Sequence, residues 1–317
     1  MRVLVTGAGG FVGNYVCRRL RQDQHEVWAA VRRAGSAPVE TREFVVGDLG
    51  DDVNWSAALD GVEAVIHLAA RVHVMKEVSG DPLTEFRRIN VAGSLNLAKS
   101  AQRHGVGRFV YMSSIKVNGE RTASEPFDAS SMPAPSGPYG LSKWEAEEGL
   151  AELSSEGEMK VISVRCPMVY GPGVGGNMAR LMRWAGKGYP VPLGAVHNKR
   201  TLISVHNLAD VLAACACEEG LTSGLVLAGD EHSPSTSELF RQLASAMGRP
   251  AHLLSVPASW ISAVGKLAGR RDEVARLMES LEVRTSTTVE GFSWSPVTSF
   301  QDAIRELGDS TKAGPKP

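Results

Sequence analysis

The feature that most constrains the fold is a glycine pattern that directly follows the first apolar run of the chain. Arg2–Thr6 is short and apolar, which is typical of a buried parallel strand, and it leads into Gly7, Gly10 and Gly13 with the spacing GxxGxxG. Such glycines allow a tight turn, a close approach of a pyrophosphate to the backbone, and close packing of helix on strand. The pattern predicts a dinucleotide site at the start of the first helix, where unpaired N–H groups attract phosphate.

Strands and helices alternate along the next 150 residues. Further strands are expected at residues 26–32, 44–46, 64–68, 109–113 and 160–165, and one long helix is expected at residues 81–104. This alternation predicts an α/β fold, a Rossmann-type doubly wound parallel sheet with a smaller C-terminal substrate lobe. We expect residues 1–166 to form the NAD(P)-binding domain with the catalytic residues, 167–308 to form mainly the substrate lobe with some segments returning to the sheet, and 309–317 to be a flexible tail.

Composition argues against several kinds of partner. Charged residues make up 22% of the chain and the net charge is −1, so no basic excess favours nucleic acid or an anionic membrane. The longest apolar stretches have the length of a strand, and no signal segment is evident, so a cytoplasmic protein is expected. The four cysteines, at positions 17, 166, 215 and 217, follow neither a zinc pattern nor a disulfide framework, and no metal site is predicted.

Tyr139 and Lys143 form a YxxxK motif downstream of the glycines. Residues four apart share one face of a helix, so the lysine can lie beside the tyrosine. A free phenol has a pKa near ~10, and a neighbouring ammonium together with an oxidised nicotinamide ring would favour the phenolate. Ser114, which ends an apolar run, would hold the reacting oxygen near Tyr139. We therefore predict that Ser114, Tyr139 and Lys143 are the catalytic residues.

The end of the second strand bears on the choice of cofactor. An acidic residue there would bind the ribose 2′-hydroxyl of NAD, but the chain has Arg32 and Arg33, which can pair with a 2′-phosphate. NADP(H) is therefore favoured over NAD(H), with Asp48 near the adenine. The predicted cofactor-binding residues are Gly7, Gly10, Phe11, Val12, Gly13, Arg32, Asp48, Leu49, Leu68, Ala69, Ala70, Asn90, Tyr139 and Lys143.

The motifs together resemble the extended short-chain dehydrogenase/reductase family over nearly the whole chain. They are the GxxGxxG turn, His67-Leu68-Ala69-Ala70, Asn90, Ser113-Ser114 and YxxxK. The family includes nucleotide-sugar epimerases, dehydratases and 4-keto reductases, so the resemblance implies a nucleotide-sugar substrate, with a UDP-linked sugar expected. It also implies that Asn90 supports the active-site backbone, and that the enzyme is a homodimer built on helix 81–104 and the Tyr139 helix.

The resemblance also implies a set of substrate contacts. Asn177 and Arg200 match positions that contact the diphosphate in nucleotide-sugar members, and an Arg suits that task. The sugar pocket is expected to be lined by Arg71, His73, Ser114, Lys116 and Asn118.

Departures from the epimerase pattern set the first expectation of function. Family members that epimerise UDP-galactose usually have Asp, Asn and Tyr where Val31, Met168 and Asn118 stand here. Segments 71–76 and 113–120 also resemble a bacterial subgroup from surface-polysaccharide gene clusters. The sequence therefore favours NADPH-dependent reduction of a 4-keto nucleotide sugar, of the UDP-linked 6-deoxy-4-keto-hexosamine type.

Two alternatives remain open. One is a UDP-sugar 4-epimerase of the UDP-glucose or UDP-N-acetylglucosamine type, which retains NAD and needs the same catalytic residues. The other, from a different class, is a non-catalytic NADP-binding sensor, which the intact Ser/Tyr/Lys set disfavours. A dehydratase is disfavoured because Ile115 and Lys116 follow Ser114 where that activity needs a pair of acidic residues.

Overall fold

A mostly parallel sheet forms the centre of the computed structural model, which describes residues 1–72, 81–267, 269 and 271–312. Its strands are β1 (Arg2–Thr6), β2 (Glu26–Val31), β3 (Arg42–Val45), β4 (Ala64–His67), β5 (Arg108–Met112), β6 (Lys160–Arg165), β9 (Gly224–Leu227) and β10 (Ser286–Thr287). They lie in the order β10-β9-β6-β5-β4-β1-β2-β3, and only β10 is antiparallel to its neighbour. A separate parallel pair is formed by β7 (Met168–Tyr170) and β8 (Leu202–Ser204).

Helices connect these strands. They are α1 (Phe11–Gln22), α2 (Ser56–Leu59), α3 (Pro82–Phe86), α4 (Gly93–Arg103), α5 (Pro138–Ser155), α6 (Gly176–Lys187), α7 (Val205–Cys217), α8 (Thr236–Ala246), α9 (Ala258–Leu267), α10 (Arg271–Met278) and α11 (Phe300–Lys312). A π-helical segment, Arg87–Ala92, joins α3 to α4, and a 3-10 turn, Ile115–Val117, follows β5. The helix expected at 81–104 is therefore one helical run with a π segment in its middle.

Two apolar layers enclose the sheet and confirm the predicted Rossmann-type α/β fold. On one face α1 and α7 pack against β1, β2 and β4 through buried side chains such as Val16, Leu20 and Leu212. On the other face α4 and α5 pack through side chains such as Leu97 and Leu150. Parallel strands buried on both faces need continuous apolar runs, and that is the character of Arg2–Thr6 and its neighbours.

A third apolar cluster lies in the C-terminal part of the chain. It joins β7, α6, α8 and α11 around Tyr170, Phe240 and Leu307. Helix α11 continues to Lys312, into the stretch that the sequence predicted as a tail from residue 309. The helix persists because its earlier turns bury Ile304 and Leu307 in this cluster, while Ser310 and Thr311 donate to backbone carbonyls one turn back. Residues 313–317 lie outside the described part of the chain.

Among the helices that the structure describes, none is both long and apolar enough to cross a membrane. All four cysteines are free thiols, and three of them are buried.

His67 links β1, β4 and the π segment at the carboxyl edge of the sheet. Ala69 N–H donates to Thr6 Oγ1 at 3.2 Å, which leaves the Thr6 hydroxyl to donate to His67 Nδ1 at 2.6 Å. His67 Nε2–H then donates to Ser94 Oγ at 2.9 Å, and the Ser94 hydroxyl donates to the Asn90 carbonyl at 2.6 Å. This chain of bonds requires the neutral imidazole, and burial lowers the pKa of His67 to about 3.

We predict that His67 makes the protein less stable in acid. In the unfolded chain a histidine with a pKa near ~6.5 takes up a proton that the folded protein excludes, so this contribution is complete above that pH and is lost as the pH falls. From pH 6.5 to 5, the free energy of unfolding should decrease by about 2 kcal/mol more in the wild type than in His67→Gln, since each pH unit is worth about 1.4 kcal/mol. Urea unfolding at several pH values measures both slopes, and parallel slopes would contradict the assignment.

Candidate active site

The turn between β1 and α1 forms the expected dinucleotide cradle. Gly7 has φ +66°, and its carbonyl accepts from Gly10 N–H at 2.9 Å. A Cβ on Gly13 would lie 2.3 Å from the Gly7 carbonyl oxygen, so only glycine lets the helix approach the turn this closely. The helix then begins at Phe11 and Val12, in a first turn without acidic residues, whose N–H groups have no intrahelical partner. The turn therefore fits the diphosphate of a dinucleotide.

The chain leaving β4 forms the neighbouring wall of this cradle. Thr6 pairs with His67 in the parallel register, so Leu68, Ala69 and Ala70 emerge beside the glycine turn. A Cβ on Gly7 would lie 3.0 Å from the backbone nitrogen of Ala69. Ala69 and Ala70 have only methyl side chains at this wall.

The adenosine end of the cradle carries two opposite charges. Arg32 follows β2 and Asp48 follows β3, and Arg32 Nη1 lies 3.7 Å from Asp48 Oδ1. The two side chains are 66% and 75% exposed, so solvent weakens their attraction. Leu49 is buried under the neighbouring helices. Arg32 is therefore placed where the sequence put it, but beside a carboxylate that competes for it.

Helix α5 brings the three predicted catalytic residues together. Lys143 Nζ donates to the Met112 carbonyl at 2.9 Å and lies 4.5 Å above the centre of the Tyr111 ring. The Ser114 hydroxyl lies close enough to the Tyr139 hydroxyl to lower the pKa of that tyrosine. The start of α5 is pressed onto the 3-10 turn, and a Cβ on Gly140 would lie 2.8 Å from the Lys116 carbonyl oxygen.

The two serines after β5 have different surroundings. Ser113 is 2% exposed, and its hydroxyl has no hydrogen-bond partner among the described residues. Ser114 is partly exposed and caps the 3-10 turn by accepting from Lys116 N–H at 3.3 Å. The geometry therefore favours Ser114 over Ser113 as the partner of Tyr139.

Burial controls the charge of the tyrosine and the lysine. It raises the pKa of Tyr139, with a smaller effect from Cys166 nearby, and the hydrogen bond with Ser114 opposes this rise. Burial also lowers the pKa of Lys143 to about 8. The sequence-based expectation of a lowered phenol pKa depends in part on the charge of an oxidised nicotinamide ring. In the protein alone burial dominates, and Tyr139 keeps its proton.

The π segment places Asn90 behind the catalytic helix. Its side-chain oxygen accepts from Arg71 N–H at 2.8 Å, and its amide nitrogen donates to the Arg71 carbonyl at 3.1 Å and to Ser142 Oγ at 3.0 Å. The Ser142 hydroxyl in turn donates to the Tyr139 carbonyl at 2.9 Å. Asn90 thus ties the segment after β4 to the first turn of α5, the kind of backbone support that the family resemblance implied.

Two cationic side chains border the catalytic residues. The Arg71 guanidinium lies 5.6 Å from the centre of the Phe86 ring, and that ring meets Tyr139 edge-on at 6.0 Å. Arg71 Nε is buried without a hydrogen-bond partner among the described residues. Lys116 Nζ pairs with Glu120 Oε1 at 2.9 Å. Arg71 therefore has an N–H group that a bound acceptor could satisfy.

Of the other predicted substrate residues, His73 lies outside the part of the chain that the structure describes, and the remaining three have different surroundings. Asn118 is buried, and its amide accepts from Arg165 at 3.0 Å and donates to the Ser131 carbonyl at 3.1 Å. Asn177 is exposed at the start of α6. Arg200 is partly buried and donates to the backbone carbonyls at the end of α10.

Sequence reasoning missed several residues of the site. Ser142 accepts a hydrogen bond from the Asn90 side chain, and because it lies inside the YxxxK motif, the motif itself marks its position. Phe86, Cys166 and the Arg165–Glu147 pair carry no local signal, because only the packing of α3 and β6 against α5 brings them near Tyr139 and Lys143.

Comparison with known proteins agrees with this geometry. The model of the NAD dependent epimerase/dehydratase family matches residues 3–224. The chain is 40% identical to a UDP-glucose 4-epimerase of Vibrio cholerae, over 97% of this chain and 94% of that one. It is 29% identical to a 2-alkyl-3-oxoalkanoate reductase of Stenotrophomonas maltophilia, over 79% of this chain and 77% of that one.

A solved structure is similar over its full length. MoeE5, in complex with UDP-glucose and NAD, superposes with a TM-score of 0.77 at 25% identity, covering 99% of each chain. These matches confirm the resemblance inferred from the motifs. The chain belongs to the NAD dependent epimerase/dehydratase family of extended short-chain dehydrogenase/reductases.

Proposed function

We propose that this protein is a UDP-sugar 4-epimerase that works with a retained NAD. One observation carries the proposal: a UDP-glucose 4-epimerase is 40% identical over 97% of the chain, and this chain keeps Ser114, Tyr139 and Lys143 together at one site. The order of the two enzyme hypotheses from the sequence is thereby reversed, and 4-keto reduction becomes the second candidate.

The catalytic residues suit reversible oxidation at C-4. Tyr139 takes the proton of the 4-hydroxyl group and returns it to the same oxygen, while Ser114 holds that oxygen in place. Lys143, fixed by the Met112 carbonyl, supplies a positive charge that favours the phenolate when the tyrosine acts as base. When bound, the nicotinamide supplies the hydride acceptor and donor. Tyr139 protonated in the free protein is the form that returns the proton.

The second candidate is an NADPH-dependent 4-keto reductase of a UDP-linked sugar. It is favoured by Arg32, because no carboxylate ends β2 where an NAD enzyme usually has one. The relative from Stenotrophomonas maltophilia is a reductase, which is consistent with a site that only reduces its substrate. Asp48, 3.7 Å from Arg32, weakens this argument because it offsets the guanidinium charge.

Substrate contacts and assembly complete the proposal. We place Arg71 and Lys116 beside the sugar, since both border Tyr139 or Ser114, and Asn177 and Arg200 at the diphosphate. We also propose a homodimer formed through α4 and α5, as the family resemblance implies.

Identification of the nucleotide released on denaturation tests the function. For the epimerase we expect about one NAD⁺ per chain, together with interconversion of a UDP-hexose and its C-4 epimer without added cofactor. An empty site that binds NADPH much more tightly than NADH, with no interconversion, would contradict the epimerase and favour the reductase.

Tyr139→Phe should lower kcat by about 10²–10⁴-fold, since general acid–base catalysis contributes on that scale. Cofactor binding, followed by nucleotide fluorescence, should change little because the ring remains against Phe86. Tyr189→Phe, at an exposed tyrosine, is the matched control and should behave as the wild type. Unchanged turnover in Tyr139→Phe would exclude catalysis by this site.

Arg32→Gln should weaken NADPH binding about tenfold and NADH binding less than twofold, because only NADPH carries the phosphate that Arg32 can pair with. Asp48→Asn should strengthen NADPH binding by removing the competing carboxylate. Titration of both nucleotides against both variants measures the difference. Equal effects on NADPH and NADH would refute the role of Arg32.

A further inference from the structure

A buried ion pair lies behind the catalytic residues and has no part in the chemistry described above. Arg165 Nε donates to both carboxylate oxygens of Glu147, at 3.0 and 3.1 Å, and Nη2 donates to Oε2 at 2.5 Å. Nη1 donates to Asn118 Oδ1 at 3.0 Å. The side chains of Arg165 and Glu147 are 5% and 9% exposed. The guanidinium therefore serves two partners at once, in the fork geometry that Arg alone offers.

The two partners come from the two elements that carry the catalytic groups. Glu147 lies one turn after Lys143 on α5. Asn118 ends the 3-10 turn that Ser114 begins, and it also donates to the Ser131 carbonyl in the loop that leads into α5. Arg165, at the end of β6, is the single point from which the sheet holds both.

Stability by itself does not explain this choice of residues. Two buried charges lose their hydration, and apolar residues of similar volume often stabilise a core as well or better. A charged pair at this depth therefore calls for a role that apolar residues lack. The role available here is to fix the orientation of the Ser114 turn relative to α5 and to hold a pair of charges next to Lys143.

We infer that Glu147, Arg165 and Asn118 form a positioning unit, which clamps the Ser114 turn to the catalytic helix and presents a balanced pair of charges to Lys143. The inference rests on the proposed roles of Ser114 and Lys143. Neither Glu147 nor Arg165 touches the reacting atoms, so both act through other residues.

The charges around Lys143 give the inference a distinctive signature. The titratable and charged side chains from the elements packed against Lys143 are His67, Tyr111, Tyr139, Glu147, Arg165 and Cys166. Burial keeps the imidazole neutral, with a pKa of about 3, and the Cys166 thiol protonated, with a pKa of about 12. It also raises the pKa of Tyr111 and of Tyr139. Cys166 and Glu147 oppose the lowering of the Lys143 pKa by burial, and Arg165 is the charge paired with the Glu147 carboxylate.

Single substitutions of the pair should then shift the pKa of Lys143 in opposite directions. Glu147→Gln leaves the guanidinium without its carboxylate partner and should lower the pKa of Lys143 by about one unit. Arg165→Gln leaves the carboxylate without its guanidinium partner and should raise the pKa of Lys143 by about one unit. The double variant Glu147→Gln/Arg165→Gln should return close to the wild type. If the pair were merely structural, the pKa of Lys143 would shift in the same direction in both single variants, or would not change in either.

The measurement is an NMR titration of the Lys143 side chain in the ligand-free, isotope-labelled protein, with the signal assigned by Lys143→Arg. Glu148→Gln is the matched control, because Glu148 is the next residue on α5 but is exposed, and the pKa of Lys143 should not change. Shifts of the same sign in both single variants, or a shift in Glu148→Gln, would overturn the charge argument. Because this measurement needs no substrate, its result does not depend on whether the proposed function is correct.

Arg165→Lys tests the clamp without removing the charge, and it decides the matter if a single neutral variant does not fold. A lysine cannot hold Glu147 and Asn118 together, so the amides of Asn118 and Gly119, which donate to the Ile115 carbonyl, should exchange with deuterium at least tenfold faster. The exchange in Glu148→Gln should match the wild type. Unchanged exchange in Arg165→Lys would overturn the positioning role.

Discussion

The burial of the Lys143 ammonium is the interaction on which the arrangement of the site depends. An ammonium removed from water needs hydrogen-bond acceptors, and the Met112 carbonyl at the end of β5 provides one at 2.9 Å. The Tyr111 ring beneath it adds a favourable cation–π contact. These contacts fix the distance and rotation of α5 relative to the sheet. Tyr139, one turn earlier on the same face, is thereby held over Ser114.

Several polar networks converge on this edge of the sheet because parallel strands all end there. His67 joins β1 and β4 to the π segment, Asn90 joins that segment to the first turn of α5, and Arg165 joins β6 to both α5 and the Ser114 turn. Each network satisfies buried groups that would otherwise be costly. Their common effect is to hold together parts of the site that come from different elements.

The proposed catalytic residues suit either of two reactions and do not distinguish them. An epimerase removes and returns hydrogen at one carbon, whereas a reductase only adds it, and both need a tyrosine that exchanges a proton with the C-4 oxygen. What separates them is how the cofactor is held. Arg32 and Asp48 place opposite charges at the adenosine end, so the discriminating feature of this chain lies far from Tyr139 and Lys143.

The sequence by itself determined the α/β class, most strand positions, the glycine turn and the Ser/Tyr/Lys set, because each rests on local periodicity or on a short motif with a fixed geometry. It placed the strands that it predicted within two residues, but it did not predict β7, β9, β10, the π segment or α11. Tertiary structure alone decided that Asn118 is bonded to Arg165 and Ser131, that Asp48 stands beside Arg32, and that Arg165 pairs with Glu147. These relations join residues from different elements of the chain, and only the packing of those elements against one another creates them.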